Sequence, residues 1–260
     1  MEGCGDTMKD YALDAKALVM VQGSSKGTQP KYFKDGYWYK ADSEGYEGLS
    51  EYLVSLVLQC SNVKDYVIYE KCFINGKNGC RSRTFLSETE SFISFERLYA
   101  VYEGGHLLDR IRVLPEAAER IRFVKEFVMD TVGMDCSEYL SWILALDAFT
   151  LNIDRHFNNL GVVIDSRDGV CRPAPVFDNG AALLSSWGRF HEETIEENLD
   201  LVYGQPFSAN LRSQALEAGI GFELDYGRLE RLLEGEPDSR ALRVLKYQMA
   251  HEREFIPEFR

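Results

Sequence analysis

The segment from residue 137 to residue 151 constrains the fold most, because it predicts a helix that is apolar on nearly every side. Such a helix is not stable on a protein surface and belongs in the middle of its lobe. Its large apolar residues are Tyr139, Leu140, Trp142, Ile143, Leu144, Leu146 and Phe149. A polar run, Asn152–Asn159, follows directly. Packing of the helix would therefore hold the start of this polar loop in one place.

The predicted secondary structure changes in type near residue 90. Before that point the chain reads as strands and turns with one helix, and after it mostly as helices with one hairpin. We therefore expect an α+β protein of two lobes. Residues 1–90 would form an N-terminal lobe with an antiparallel sheet, and residues 91–260 a helical C-terminal lobe.

Turn signals separate the elements predicted for the N-terminal lobe. Asp35-Gly36 is typical of a hairpin turn, and Gly23–Thr28 predicts a flexible turn. The predicted strands are Val19–Gln22, Tyr37–Ala41, Tyr66–Ile74 and Gly79–Leu86, the last two joined by Asn75–Asn78, and the predicted helix is Glu47–Leu58.

Helices dominate the prediction for the C-terminal lobe. Pro115 suits a first helical turn, and Gly133 suits a helix end. The predicted helices are Pro115–Val132, Ser137–Leu151, Ala209–Ala218, Tyr226–Glu234 and Ser239–Phe255, and the predicted hairpin pairs Gly161–Ile164 with Arg172–Phe177.

The net charge limits the partners that the chain can bind. It has 29 Lys and Arg residues against 42 Asp and Glu residues, which gives a net charge of −13. Without a run of basic residues, so acidic a chain repels nucleic-acid phosphates and anionic membranes, so we expect direct binding to neither. Nucleotide binding stays open, because Mg²⁺ and a few local groups can offset the ligand charge.

The cysteines and the N-terminus indicate the compartment. Six cysteines occur without a Cys-x-x-Cys pair, a pattern typical of reduced thiols in the cytosol. The first residues lack the features of a signal peptide, and no apolar stretch has the length of a membrane span. We therefore expect a cytoplasmic protein, and no disulfide between Cys72 and Cys80 across their hairpin.

Three polar residues have the types that phosphoryl transfer requires. Asp154 and Asn159 lie in the polar loop after the apolar helix, and Asp178 follows the predicted hairpin. In that chemistry one carboxylate orients the attacking hydroxyl and accepts its proton, while an amide oxygen and a second carboxylate hold metal ions. Mg²⁺ prefers hard oxygen ligands and takes few of them from the protein.

The spacing of Asp154 and Asn159 is not distinctive by itself. Asp147 and Asn152 have the same spacing within the same segment. Asp147 lies inside the helix, however, where we expect a buried structural carboxylate that binds N–H groups of the loop. The position of Asp154 in the loop, before a hairpin that ends in an aspartate, favours it as the chemical group.

Two parts of this sequence resemble the catalytic and metal-binding segments of HipA-like kinases. The first is the octapeptide Asn152–Asn159, which reads Asn-x-Asp-Arg-His-x-x-Asn, and the second is the later Asp178. A similar pattern occurs in the distantly related phosphatidylinositol 3- and 4-kinases. The resemblance implies a bilobal protein-kinase-like fold that binds ATP and Mg²⁺. It implies Asp154 as catalytic base and Asn159 and Asp178 as Mg²⁺ ligands. It also places His156 beside the γ-phosphate, and a structural role for this histidine stays equally open.

A kinase of this kind also needs a strand lysine, a helix glutamate that orients it, and a hinge for adenine. Lys40 ends the aromatic strand, and Glu51 lies one turn into the next helix. Phe85 and Leu86, after the fifth strand, would form the hinge. These elements occur in the order that the resemblance requires.

A phosphate-covering loop would precede the lysine. The stretch Gly23–Thr28 stands in that position, with Gly23, Ser24 and Ser25 as its candidate nucleotide contacts. The stretch matches neither the Gly-x-Gly-x-x-Gly pattern nor a Walker A loop, so this assignment depends on position alone.

Three functions share this pattern of residues. The first is a protein kinase that phosphorylates serine or threonine, the second a lipid or small-molecule kinase of the same fold, and the third a nucleotide-binding pseudokinase that acts through a partner. The lipid alternative is disfavoured because no basic cluster follows Asp178. The expected acceptor is a protein of unknown identity. The resemblance leaves an antitoxin-type partner open, and the shorter chain argues against an antitoxin-and-DNA complex of the HipA kind.

Overall fold

A computed structural model describes residues 8–19 and 29–259 of the chain. The strands are β1 (Asp10–Tyr11), β2 (Lys31–Lys34), β3 (Tyr37–Ala41), β4 (Tyr69–Ile74), β5 (Lys77–Arg83), β6 (Glu90–Ser94), β7 (Gly161–Asp165) and β8 (Cys171–Pro173). The helices are α1 (Glu47–Gln59), α2 (Phe95–Tyr102), α3 (Leu107–Arg112), α4 (Ala117–Val132), α5 (Ser137–Thr150), α6 (Ile195–Leu199), α7 (Leu211–Ala218), α8 (Tyr226–Leu233) and α9 (Arg240–His251). The predicted loop Gly23–Thr28 and most of the predicted strand before it lie outside the described residues.

A five-stranded sheet in the order β1-β4-β5-β3-β2 forms the N-terminal part. Its strands pair antiparallel except β1, which is parallel to β4. Asp35 and Gly36 have φ values of 51° and 78°, so they form the predicted hairpin turn between β2 and β3. The turn between β4 and β5 is shorter than predicted. Asn75 and Gly76 adopt the same left-handed conformation, and Lys77 already pairs with Ile74.

The second sheet has three strands in the order β6-β7-β8. The hairpin of β7 and β8 was predicted, whereas β6 was not, because Glu90–Ser94 holds only two large apolar residues between polar ones. Helix α4 begins at Ala117 rather than at Pro115, so the proline precedes the helix. Gly133 ends α4 with a φ of 67°, as predicted.

Helix α5 is buried on nearly all sides, as its composition predicted. Its buried residues include Leu140, Ile143 and Phe149, each 0% exposed. Helix α1 contributes to the same core through Leu53, Val57 and other residues. The sheet has a smaller core of its own, formed by Leu13, Tyr39, Ala41, Cys72 and Ile74. The protein is therefore α+β and bilobal, with α1 packed between the sheet and the helical part.

The cysteines are thiols within the part of the chain that the structure describes. Cys60, Cys72, Cys80, Cys136 and Cys171 are free. In the register of β4 and β5, Lys71 lies opposite Cys80, and Cys72 lies opposite Gly79. Over residues 8–19 and 29–259, no helix has both the length and the apolar character that crossing a bilayer requires.

Candidate active site

Helix α1 lies very close to the sheet at its N-terminal end. A Cβ atom added to Gly48 would be 2.5 Å from the carbonyl carbon of Gly79 on β5. Asp42 accepts a hydrogen bond of 2.6 Å from the Gly48 N–H, which satisfies one of the free donors at the helix start. One turn further on, Glu51 is fully buried. The close packing of α1 therefore sets where the Glu51 carboxylate meets the sheet.

Lys40 connects β3 to α1 and to the turn after β8. Its ammonium group contacts the Glu51 carboxylate and lies 2.6 Å from Asp178 Oδ1 and 3.4 Å from the Tyr69 hydroxyl. Burial alone would lower the pKa of Lys40, but the charges of Asp178 and Glu51 raise it well above its usual value. The two carboxylates thus keep a buried lysine charged, as phosphate binding requires.

Glu51 also holds the turn that follows β8. Its Oε2 atom accepts a hydrogen bond of 2.8 Å from the Asn179 N–H. Asp178 has a φ of 59°, a left-handed conformation that aspartate adopts more readily than most residues. Burial would raise the pKa of Asp178, but the charges of Lys40 and Lys31 hold it well below its usual range. Asp178 is therefore an anion that can bind a cation.

A buried ion pair organises the polar loop after α5. Arg155 Nε lies 3.0 Å from Asp147 Oδ2, and neither side chain is exposed. Asn152 donates a side-chain hydrogen bond of 3.0 Å to Asp147 Oδ1. Asp147 therefore holds the loop from within the helix, through side-chain N–H groups. Removing one member of such a buried pair typically costs about 3–5 kcal/mol, because a charge is left unpaired.

Arg155 also joins the polar loop to the turn after β8. It donates hydrogen bonds of 2.6 Å to the carbonyl oxygen of Phe177 and to Asn179 Oδ1. The loop that carries Asp154 and the turn that carries Asp178 are thus held by one guanidinium group. Arginines are mostly exposed, so the sequence did not indicate this role for Arg155.

Asp154 is more open than its neighbours, with 53% of its side chain exposed. Its Oδ1 atom accepts a hydrogen bond of 3.0 Å from Gln205, and its Oδ2 atom lies 3.8 Å from His156 Nε2. Partial burial raises the pKa of Asp154, against an opposing effect of His156 and with a smaller contribution from Asp178. An accessible carboxylate with a raised pKa is suited to accept a proton.

Gln205 reaches Asp154 from the segment between α6 and α7. Its side-chain amide also donates a hydrogen bond of 3.1 Å to the Ile153 carbonyl oxygen. The fully buried Gln214 in turn donates a hydrogen bond of 3.2 Å to the Gln205 carbonyl oxygen. Gln205 was not predicted as a site residue, since nothing in a single loop glutamine indicates a contact 51 residues away.

Asn159 and Asp178 fit a hard divalent cation. The Asn159 amide nitrogen donates a hydrogen bond of 3.2 Å to the Asp154 carbonyl oxygen, so its amide oxygen is the atom with metal-binding chemistry. One amide oxygen and one carboxylate match the few protein ligands that Mg²⁺ takes. In the described part of the chain, no cluster of three or more His, Cys, Asp or Glu residues could hold a metal.

Lys40, Asp154, Asn159 and Asp178 line one cleft of about 1000 Å³. The predicted site residues that line it are Lys40, Phe85, Leu86, Asp154, His156, Asn159 and Asp178. Glu51 stands behind Lys40, and Gly23, Ser24 and Ser25 lie outside the described residues. Part of the wall is aromatic, because the Phe85, Phe92 and Phe177 rings lie 5.4–6.0 Å apart. The cleft therefore combines a charged end with an apolar surface that suits a planar base.

Comparison with solved structures assigns the fold. The chain aligns with the proinflammatory kinase CtkA of Helicobacter pylori at a TM-score of 0.65 and 12% identity, over 96% of this chain and 95% of CtkA. It also aligns with HipA of Shewanella oneidensis MR-1, from a complex with HipB and operator DNA, at a TM-score of 0.42 and 12% identity, over 95% of this chain and 61% of that one. No family model and no curated protein matches the chain. The likeness to CtkA shows that this chain has the bilobal protein-kinase-like fold.

Proposed function

We propose that this protein is a HipA-like, ATP-dependent kinase that transfers the γ-phosphate to a serine or threonine hydroxyl of a protein. The proposal rests on one observation: Lys40 contacts both Glu51 and Asp178 in the cleft that also contains Asp154 and Asn159. A cleft with this set of groups has what phosphoryl transfer requires of the protein. The fold shared with a kinase supports the same reaction class.

The charged end of the cleft performs the transfer. Asp154, oriented by Gln205, accepts the proton of the acceptor hydroxyl. Lys40, kept charged by its two carboxylate partners, binds the nucleotide phosphates. Asn159 and Asp178 would hold Mg²⁺, which would supply positive charge against the charge that develops on the phosphates.

The remaining contacts position the nucleotide. Phe85 and Leu86 carry the adenine beside the aromatic wall of the cleft. His156 lies near enough to Asp154 to act beside the transferred phosphate. Gly23, Ser24 and Ser25 would cover the phosphates from the loop that precedes β2. In this division the N-terminal lobe of residues 1–90 binds ATP, and residues 91–260 carry the catalytic groups.

The biological setting follows from the same proposal. The acceptor is a protein, and the HipA-like assignment leaves open an antitoxin-type protein as the regulatory partner. We place the protein in the cytoplasm, which the five free cysteines of the described residues support.

Phosphate transfer and nucleotide affinity, measured side by side, test the proposal. The purified protein, incubated with labelled ATP, Mg²⁺ and a cell extract, should label protein bands. Asp154→Ala should reduce turnover by roughly 10²–10⁴-fold, the usual contribution of a positioned base, with nearly unchanged Mg²⁺-ATP affinity. Asp178→Ala should weaken Mg²⁺-ATP binding itself. Asp109→Ala, which removes an exposed carboxylate of α3, is the matched control and should behave like the unaltered protein.

Other outcomes separate the alternatives. Labelling of lipids or small molecules in place of proteins would show that the acceptor is not a protein. Nucleotide binding without any phosphate transfer would show that the protein is a pseudokinase. Full turnover by Asp154→Ala would show that the base is another residue.

A further inference from the structure

A second lysine, Lys31, approaches the carboxylate that is proposed to hold the metal. Lys31 is the first residue of β2 and pairs directly with Lys40 on β3. Because paired residues of neighbouring strands project to the same face of a sheet, both side chains reach the cleft. The Lys31 ammonium lies 3.4 Å from Asp178 Oδ2, whereas Lys40 lies 2.6 Å from Oδ1. Each oxygen of Asp178 therefore faces one ammonium group.

The two lysines are held very differently. Lys40 is nearly buried and also contacts Glu51 and the Tyr69 hydroxyl. Lys31 has 24% of its side chain exposed, against 9% for Lys40, and its bond to Asp178 is longer. A partly exposed ammonium on a flexible four-carbon stem exchanges partners at low cost. Lys31 is therefore the cation that can leave Asp178.

A metal ion cannot join this arrangement without displacing a lysine. A carboxylate ligand approaches Mg²⁺ to about 2.0–2.1 Å, and two ammonium groups on the same carboxylate repel an incoming divalent cation. The positive charges of Lys31 and Lys40 balance the negative charges of Glu51 and Asp178. A metal that arrives with a triphosphate adds anionic oxygens near Asp178, and these offer the displaced lysine a new partner.

We propose that Lys31 is a phosphate-binding residue of the nucleotide site and that it pairs with Asp178 until a metal–triphosphate displaces it. The inference rests on the proposed function and extends it. Lys31 occupies the metal carboxylate in the free protein and moves to a phosphate oxygen in the complex. Its loss therefore has opposite effects on two ligands. Removal of Lys31 should make a divalent ion alone bind more tightly and a metal–triphosphate bind more weakly.

Lys31→Met tests both effects, by calorimetry for the nucleotide ligands and by electron paramagnetic resonance for the metal ion. Lys31→Gln is a second variant in case the first does not fold. Affinity for Mg²⁺ with a non-hydrolysable ATP analogue should fall by more than twofold and at most by about a hundredfold, the full effect of one hydrogen bond to a charged group, because the freed Asp178 offsets part of the lost phosphate contact. Adenosine, which has no phosphate, should bind both variants as it binds the unaltered protein. Mn²⁺ added alone, with free ion followed by electron paramagnetic resonance, should bind the variants more tightly.

Lys34→Met is the matched control, because Lys34 is an exposed lysine on the same strand. An ATP-analogue affinity of the Lys31 variants within twofold of this control would overturn the inference. The inference would also be overturned if the Lys31 variants lost equal affinity for adenosine and for the ATP analogue, or if they bound Mn²⁺ more weakly than the unaltered protein. If the unaltered protein binds no Mg²⁺-analogue at all, the proposed function fails. If it binds and only the Lys31 effect is missing, the proposed function stands without this extension.

Discussion

Gln205 shows how one side chain can orient the proposed catalytic carboxylate, Asp154, from a distant part of the chain. Its amide donates to Asp154 Oδ1 and to the Ile153 carbonyl oxygen. We predict that Gln205→Ala reduces turnover roughly tenfold, since it removes a hydrogen bond to a charged acceptor. Mg²⁺-ATP affinity should stay unchanged, because Gln205 is not among the residues that line the cleft. Steady-state phosphate transfer and calorimetry measure the two quantities.

A glutamine away from the cleft provides the control for this prediction. Gln59 donates one side-chain hydrogen bond of 3.2 Å to the Ser55 carbonyl oxygen at the end of α1. Gln59→Ala should leave turnover unchanged. An equal loss in both variants would mean that Gln205 acts only through general stability.

Asp42 makes the stability of the fold depend on pH. Burial raises its pKa from 3.8 to about 6, against the opposing effect of the Gly48 N–H. An acid with a higher pKa in the folded state binds its proton more tightly when folded, so its ionisation destabilises the fold. The unfolding free energy should therefore fall as the pH rises from 3.8 to about 6. Asp42→Asn should remove this part of the fall, as measured by urea denaturation across that range.

A turn aspartate serves as the comparison. Asp168 accepts a backbone hydrogen bond of 2.9 Å from Val170 at an exposed position. Asp168→Asn should keep the pH dependence of the unaltered protein. The prediction would be contradicted if the unfolding free energy of Asp42→Asn and that of the unaltered protein changed with pH in the same way.

At the scale of elements, the contact between α1 and β5 is the most sensitive to a small change. A Cβ atom at Gly48 would meet backbone atoms of Gly79 and Cys80 within 3 Å, so α1 would have to shift. Gly48→Ala should destabilise the protein by about 1–3 kcal/mol, the usual cost of overpacking. It should also weaken Mg²⁺-ATP binding, because a displaced Glu51 no longer holds Lys40. Denaturation and calorimetry measure these effects.

Gly235→Ala is the control, because a Cβ atom there would meet no other atom within 4 Å. It should change neither stability nor nucleotide affinity appreciably. If Gly48→Ala loses stability while it binds Mg²⁺-ATP normally, α1 does not set the position of Glu51 in the way described.

Local sequence patterns predicted most of the elements but not their limits. The Asp35-Gly36 turn and the apolar helix α5 carry strong local signals, so both were predicted correctly. The start of β5 was predicted at Gly79 instead of Lys77, because Asn75 and Gly76 alone complete the turn. Strand β6 was missed, since its stability comes from pairing with β7, which is far along the chain.

For the whole molecule, the shared core predicts a single cooperative unfolding transition. Apolar residues of α1 pack in the same core as those of α5. Ser50 donates a hydrogen bond of 2.9 Å to the Ala182 carbonyl oxygen, and Tyr46 donates one of 2.8 Å to that of Leu183. Because α1 also packs against the sheet, at Gly79 and Cys80, the sheet should not unfold separately from the helical part.

Two single-tryptophan variants measure this cooperativity. One retains Trp38 on β3 and the other retains Trp142 on α5, with the remaining tryptophans replaced by phenylalanine. Their fluorescence should report the same urea midpoint as circular dichroism of the same samples. Two separate midpoints would show that the lobes unfold independently.

The sequence by itself determined most of the elements and their order, the α+β class and the residues proposed to carry phosphoryl transfer. These features depend on local periodicity and on short motifs such as Asn152–Asn159. Only the tertiary structure decided that Lys31 lies at Asp178, across 147 residues, and that Gln205 lies at Asp154. A contact between distant residues depends on how the strands and lobes pack together. No local pattern carries that information, because lysine and glutamine occur most often at exposed positions without such a partner.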